Sequence, residues 1–119
     1  EDLRLKLAMH ALLHDISLDE EHYQNIEEWN RRASDHSDRS LETIQYRLHP
    51  FEAAKIAQSM DVIPPDVDRI VLQHHEKKDG KGFPRGLMAN QISYLSSYFI
   101  IMEDLVSFLN KGINATTAL

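Results

Sequence analysis

Residues 66–86 read DVDRIVLQHHEKKDGKGFPRG and contain the change from helix to loop around which the chain is organised. In the first half, apolar residues recur at intervals of three and four as far as His74, which predicts one face of a helix. The second half carries three of the four glycines in the protein. Residues 76–90 are therefore predicted to form a long loop, and long loops within helical domains are often functional.

The rest of the chain shows helical spacing and no lasting alternation of strand type. The first 79 residues contain no glycine, which excludes a nucleotide-binding fold with a Gly-rich phosphate loop near its start. The fold class is predicted to be all-α. Six helices are expected, over residues 2–14, from Asp19 through Trp29, and over residues 41–48, 50–60, 66–74 and 92–110. Gly112 is expected to cap the last helix.

The first and last helices are each expected to bury one apolar face. In the first helix, the predicted buried residues are Leu3, Leu7, Ala8, Ala11 and Leu12. In the last helix, they are Ile92, Leu95, Phe99, Met102, Leu105 and Leu109.

The composition of the 119 residues excludes several classes of protein. The chain has no cysteine, so it forms no disulfide, thiolate zinc site or iron–sulfur cluster. Its 13 Lys and Arg against 19 Asp and Glu give a net charge of −6, which argues against a DNA- or RNA-binding protein. No run approaches the roughly 20 apolar residues of a membrane span. We expect one soluble domain.

Six potential metal ligands lie where the predicted helices end or meet loops: His14, Asp15, His49, His74, His75 and Asp104. Imidazole and carboxylate groups together suit divalent iron, manganese or zinc. Consecutive helical side chains diverge by about 100°, so His14 and Asp15 can serve one metal cluster mainly where a helix is ending. A solvated helix end is the alternative for this dipeptide. His10 is expected to be half-exposed, and His22 and His36 to be surface residues.

Residues 74–86, HHEKKDGKGFPRG, resemble the signature of the HD-GYP phosphodiesterases. That signature reads HHE, two residues, DG, one residue and GYP, often followed by RG. His14-Asp15-Ile16 resembles the opening motif of this family, and Leu48-His49-Pro50 resembles its central histidine. Glu103-Asp104 is similar to its closing Ala-Asp. The motifs follow the order of the family across residues 11–109.

The resemblance implies a single helical HD domain over residues 1–119 that binds two or three divalent metals, commonly iron or manganese. By position, Asp15 would bridge the metals, with His14 and Asp104 on one of them. Asp15 and His14 would also be the catalytic residues. The other metal would take three histidines: His49, His74 and His75.

The activity implied by the resemblance is hydrolysis of cyclic di-GMP to a linear dinucleotide or to GMP. Proteins of this family act in bacterial cytoplasmic signalling, and some meet diguanylate cyclase domains through the loop that corresponds to residues 80–86. The family also has a histidine on a helix upstream of the opening motif, and often a regulatory domain. Neither is expected within residues 1–119.

The chain departs from the family pattern at positions that contact substrate. The Gly-Lys after the opening motif is Ser17-Leu18 here, so one cation is missing, and the tyrosine of GYP is Phe83. The loop offers a replacement set assigned to substrate binding: Lys78, Lys81, Phe83 and Arg85. A plain solvated loop is the alternative for its basic residues.

Two functions of different classes follow from these features. The retained ligand types favour an active metal-dependent cyclic dinucleotide phosphodiesterase. The lost substrate contacts favour a degenerate signalling module that binds metal, nucleotide or a protein partner without turnover.

Overall fold

The computed structural model describes the backbone of residues 3–118 and the side chains of residues 3–112. Helices account for most of this part of the chain, and none of its residues forms a strand. The prediction of an all-α fold is confirmed. The elements are α1 (Leu3–Leu13), α2 (Glu20–Gln24), α3 (Ile26–Ser34), α4 (Leu41–Arg47), α5 (His49–Gln58), α6 (Val67–Gln73), a 3-10 turn (Ala89–Gln91) and α7 (Tyr94–Ala118).

Local backbone chemistry sets where the helices begin and end. Asp19 caps α2, because its carboxylate accepts the backbone N–H of His22 at 3.1 Å. Asn25 leaves the helical region, with φ −126° and ψ 35°, so the single helix predicted from Asp19 is two helices, α2 and α3. Pro50 lies in the first turn of α5, where its missing N–H removes no helical hydrogen bond.

Two groups of buried apolar side chains form the core. The first joins α1, α5 and α6 through Leu13, Ala53, Ala54, Ala57, Val67 and Val71. The second joins the loop after α1, helices α3 and α4, and the Gly-rich loop through Leu18, Trp29, Ala33, Tyr46 and Phe83. Because α5 begins at His49 and α6 is followed by His74, this packing also fixes the histidine-bearing ends of both helices.

The buried face of α1 differs from the predicted one. Lys6, His10 and Leu13 are buried, and Lys6 Nζ donates to Asp66 Oδ2 at 3.2 Å, which ties α1 to the start of α6. Periodicity defines a helix face but does not say which face the neighbouring elements cover. The prediction is therefore wrong for four residues that are exposed: Leu3, Ala8, Ala11 and Leu12.

The second half of α7 packs less than predicted. Its first turns lie against α6, and Phe99 is partly buried as expected. Between residues 101 and 112, only the Glu103 side chain is partly covered. The prediction of burial is wrong for Met102, Leu105 and Leu109. The predicted cap at Gly112 is also wrong, because α7 continues to Ala118.

Among the described residues, no helix combines the length and the apolar character that crossing a membrane requires.

Candidate metal centre

Four side chains converge where the ends of three helices meet. Asp15 follows the end of α1, His49 begins α5, and His74 and His75 follow α6. One potential ligand atom from each residue lies within 4.8 Å of those from the other three. His49 and His74 are buried, whereas the Asp15 side chain keeps 19% of its surface exposed, so the cluster has one open side.

The backbone determines which imidazole nitrogen faces this cluster. Nδ1 of His49 lies 2.6 Å from the carbonyl oxygen of Tyr46, and Nδ1 of His74 lies 2.5 Å from that of Val71. A carbonyl oxygen can only accept, so each Nδ1 carries a proton and donates it. In the neutral rings each Nε2 is therefore an unprotonated acceptor. Histidines that bind metals are typically oriented by their other nitrogen in this way.

Three atoms with lone pairs consequently face one another. The Nε2 atoms of His49 and His74 are 3.4 Å apart, and Asp15 Oδ1 lies 3.2 Å from the first and 3.4 Å from the second. Asp15 Oδ1 is buried and has no hydrogen-bond donor. A buried polar atom without a partner costs about 1–3 kcal/mol. One divalent cation would satisfy all three atoms, and imidazole with carboxylate suits manganese, iron or zinc.

His14 lies on the other oxygen of the Asp15 carboxylate. Its Nδ1 is 3.2 Å from the carbonyl oxygen of His10 and 3.0 Å from that of Ala11, so it is the protonated nitrogen. Its Nε2 lies 3.3 Å from Asp15 Oδ2. The carboxylate therefore has one oxygen toward His49 and His74 and the other toward His14, an arrangement that can bridge two ions.

The last helix presents Glu103, not Asp104, to this side of the cluster. Glu103 Oε1 lies 3.7 Å from His14 Nε2, whereas Asp104 is exposed and is not one of the four converging residues. Consecutive helical side chains diverge by about 100°, so only one of the two can face α1. Glu103, and not the expected Asp104, therefore lies beside His14. The expectation for Asp104 came from the similarity of Glu103-Asp104 to the closing Ala-Asp of the HD-GYP family.

His10 is fully buried, so the prediction of a half-exposed histidine is wrong. Its ring centroid lies 5.0 Å from that of His14 and 5.6 Å from that of His74. The sequence signal that places His10 beside His14 is its position four residues earlier, because residues four apart share a helix face.

Phe83 lies behind His75. Their rings stack with centroids 4.5 Å apart and planes 17° apart, and Phe83 is only 2% exposed. The ring of Tyr46, which belongs to the same core group, lies 4.7 Å from that of His49. Although the sequence analysis assigned Phe83 to substrate binding, its contacts here are those of a residue that positions a candidate ligand.

Glu76 and Gly82 hold the Gly-rich loop of residues 76–90 against the backbone that carries His74 and His75. The buried Glu76 carboxylate accepts the backbone N–H groups of Arg85 and Leu87, both at 2.9 Å. A Cβ on Gly82 would lie 2.5 Å from the backbone nitrogen of Lys77 and closer still to the His75 carbonyl oxygen. Only glycine fits so close an approach of two backbone segments.

The basic residues assigned to substrate binding all lie on the exposed side of this loop: Lys78, Lys81 and Arg85. In the described part of the chain, no ion pair or hydrogen bond joins their charged groups to the candidate ligands. Their backbone groups hold the loop, since Lys81 N–H donates to Asp79 and the Lys81 carbonyl lies 2.9 Å from His36 Nε2. His36 is exposed, as predicted.

Burial keeps several of the imidazoles neutral. It lowers the pKa of His74, and together with His74 and His49 it lowers the pKa of His75 well below its usual value. Burial, with His74 and His14, lowers the pKa of His10 to about 2. Neutral imidazole is the form that binds metals.

The two carboxyl groups respond differently to their surroundings. Burial opposes ionisation of Asp15, and the pKa of this carboxyl falls well below its usual range only where His49 and His74 donate to it, as their protonated forms would. Burial raises the pKa of Glu103 to about 7, and the negative charge of Asp15 adds to that rise.

Among the comparisons with known proteins, the match to a family model agrees with this architecture. No curated protein and no solved structure matches the chain. A family model described as HD domain matches residues 1–116, which is nearly the whole sequence. The HD domain is typical of metal-dependent hydrolases, and the histidine and aspartate cluster is a possible metal site of that kind. The chain belongs to the HD domain family.

Proposed function

We propose that the protein is a metal-dependent phosphodiesterase that hydrolyses cyclic di-GMP to the linear dinucleotide or to GMP in bacterial cytoplasmic signalling. The observation that carries the metal part is the convergence of Asp15 Oδ1 with the unprotonated Nε2 atoms of His49 and His74. The substrate part comes from the likeness of residues 74–86 to the HD-GYP signature.

The candidate ligands divide around Asp15 into two sets. Asp15 Oδ1 with His49, His74 and His75 would hold one ion, and Asp15 Oδ2 with His14 and Glu103 would hold a second. Iron and manganese suit both sets. A bound divalent ion supplies positive charge that neutralises phosphate oxygens and acidifies water.

The residues of the chain would bind and orient the substrate at the open side of the cluster. Hydrolysis joins the oxygen of water to phosphorus and breaks the bond from phosphorus to the 3′ oxygen, which takes up a proton. Lys78, Lys81 and Arg85 have solvent-exposed charges and would approach the phosphates from the loop. The buried Phe83 and Glu76 would act indirectly, by holding His75 and the loop.

One observation favours a second candidate, a signalling module that binds metal or nucleotide without turnover. Leu18 stands where the HD-GYP family has a lysine, and it is 8% exposed within the core group of Trp29 and Phe83. That position therefore cannot supply a cation to the substrate. In this alternative, the loop of residues 80–86 would dock a partner such as a diguanylate cyclase domain.

Incubation of the purified chain with cyclic di-GMP and either Mn²⁺ or reduced iron separates the two candidates. The first predicts linear dinucleotide or GMP with the wild type and none with Asp15→Asn. Asp61→Asn is the matched control, because Asp61 is an exposed carboxylate outside the cluster. Bound metal without product would select the second candidate. A folded protein that binds no metal would contradict the first candidate and the metal-binding form of the second.

A further inference from the structure

We infer that His10 supplies an additional nitrogen ligand, beside His14 and Glu103, to an ion held on the Oδ2 side of Asp15. The inference deepens the proposed function and depends on its metal centre. It assigns a ligand that lies within α1 itself, four residues before the His-Asp pair.

The burial of His10 without partners is the first observation. The side chain is fully buried, and neither Nδ1 nor Nε2 has a hydrogen-bond partner. An imidazole carries one donor and one acceptor, so both groups lose their water without replacement. A leucine or phenylalanine would fill this position without that penalty. Buried polar atoms left unsatisfied in this way indicate a missing partner.

The neighbours of His10 are the second observation. Its ring stacks on that of His14 with centroids 5.0 Å apart and planes 26° apart, and its edge lies toward His74 at 5.6 Å. Residues four apart on a helix lie on the same face, a spacing that lets two histidines bind one ion. His10 therefore lies next to the candidate ligands and not at a remote core position.

The third observation is the incomplete donor set on this side of Asp15. His14 Nε2 has Asp15 Oδ2 at 3.3 Å and Glu103 Oε1 at 3.7 Å, which gives three potential ligands from this chain. His10 would be the fourth. Its ring also contacts Phe99, with centroids 3.7 Å apart, so binding would require the imidazole to turn from that contact toward His14.

The test is the Mn²⁺ content of the full chain in the wild type and in His10→Leu, measured by elemental analysis and electron paramagnetic resonance. We expect about two Mn²⁺ per wild-type chain with an exchange-coupled spectrum, as for closely spaced ion pairs. The variant should retain about one Mn²⁺ with a single-ion spectrum. His36→Gln, which removes an exposed imidazole but keeps a side-chain donor for the Lys81 carbonyl, should behave as the wild type.

Two coupled Mn²⁺ ions in His10→Leu would overturn this inference and leave the metal centre of the proposed function intact. A single ion in the wild type would overturn the inference together with the second ion of the proposed function. A wild type without Mn²⁺ would overturn both. Thermal unfolding of the metal-free proteins shows whether the variant is folded. His10→Leu should unfold at the wild-type temperature or above, because the substitution removes two unsatisfied nitrogens. If His10→Leu does not fold, His10→Gln, which keeps a polar side chain, should show the same loss of one Mn²⁺, and two coupled ions there would equally overturn the inference.

Discussion

His49 and His74 face each other through unprotonated nitrogens, with their Nε2 atoms 3.4 Å apart and each Nδ1 committed to a backbone carbonyl. Neither ring can donate to the other, and Asp15 Oδ1 adds a third acceptor beside them. Three lone pairs repel one another until a cation lies between them. This relationship is the physical basis for the proposed metal centre of this HD domain.

Replacing Gly82 should damage the centre through the backbone. A Cβ in Gly82→Ala would lie 2.5 Å from Lys77 N and 2.6 Å from Glu76 Cα, so the loop must move away from His75. We expect a loss of unfolding free energy of about 1–3 kcal/mol, as for overpacked sites, together with weaker Mn²⁺ binding. Urea unfolding and Mn²⁺ titration check both effects.

Gly112→Ala is the matched control for Gly82→Ala. It lies in α7 with nothing within 4 Å of the added Cβ, so helix propensity should stabilise the protein by up to about 1 kcal/mol. Equal stability losses in the two variants would contradict the assigned role of Gly82.

Phe83 should support His75 through its ring and tolerate no added polar group. Phe83→Tyr buries a hydroxyl in a position that is 2% exposed and should cost about 1–3 kcal/mol of unfolding free energy, although it restores the GYP sequence of the related family. Phe83→Leu should keep more stability and weaken Mn²⁺ binding, because the stack on His75 is lost. A more stable Phe83→Tyr would show that the hydroxyl finds a partner.

Glu76 should hold the loop through its two acceptor oxygens. In Glu76→Gln the amide NH₂ would face the N–H of Arg85 or Leu87, which leaves one buried donor without an acceptor. The expected cost is about 1–3 kcal/mol in urea unfolding, with faster hydrogen exchange of those two amides. Glu52→Gln, on an exposed face of α5, should leave both measurements unchanged.

The metal-free protein should lose stability as the pH falls below about 6.5. The pKa values of His10, His74 and His75 are lowered in the folded state. Below the usual histidine pKa of about 6.5, the unfolded chain therefore binds protons that the folded chain does not bind. Each uncompensated histidine contributes up to about 1.4 kcal/mol per pH unit. Urea unfolding with a chelator, between pH 5 and pH 7.5, measures the slope.

Glu103 has the opposite effect on the stability of the folded protein over part of this pH range. Its folded pKa is raised to about 7 from an ordinary value of 4.5, so the folded state takes up a proton first and gains stability as the pH falls. Glu103→Gln should therefore make the fall in stability below pH 6.5 steeper. A slope that stays the same or reverses in this variant would contradict the assignment.

The sequence was sufficient for the fold class, because helical spacing and the ends of helices depend on local chemistry. The grouping of Asp15, His49 and His74 was implied by the resemblance to the HD-GYP motifs and not by spacing. The buried face of α1 and the exposed half of α7 could not be predicted from the sequence, because apolar periodicity does not say which face a neighbour covers. Met102 in α7 illustrates this limit.

Two residues near the centre show why motifs alone assign a site incompletely. The choice between Glu103 and Asp104 depends on the rotation of α7 about its axis, which sequence spacing leaves undefined to within one residue. His10 has the spacing of a ligand but also that of an ordinary surface histidine. Only the packing of α1 against α6 and Phe99 separates these possibilities.

The central claim is tested most directly by the Mn²⁺ bound per folded chain after equilibrium dialysis, in the wild type and in Asp15→Asn. The amide of Asp15→Asn can donate to Nε2 of His49 or His74, so the variant should fold while losing the charge that holds the ion. The account predicts at least one Mn²⁺ per wild-type chain and a loss of affinity of about tenfold or more in Asp15→Asn. A folded wild type without bound Mn²⁺, or equal binding by the two proteins, would contradict it.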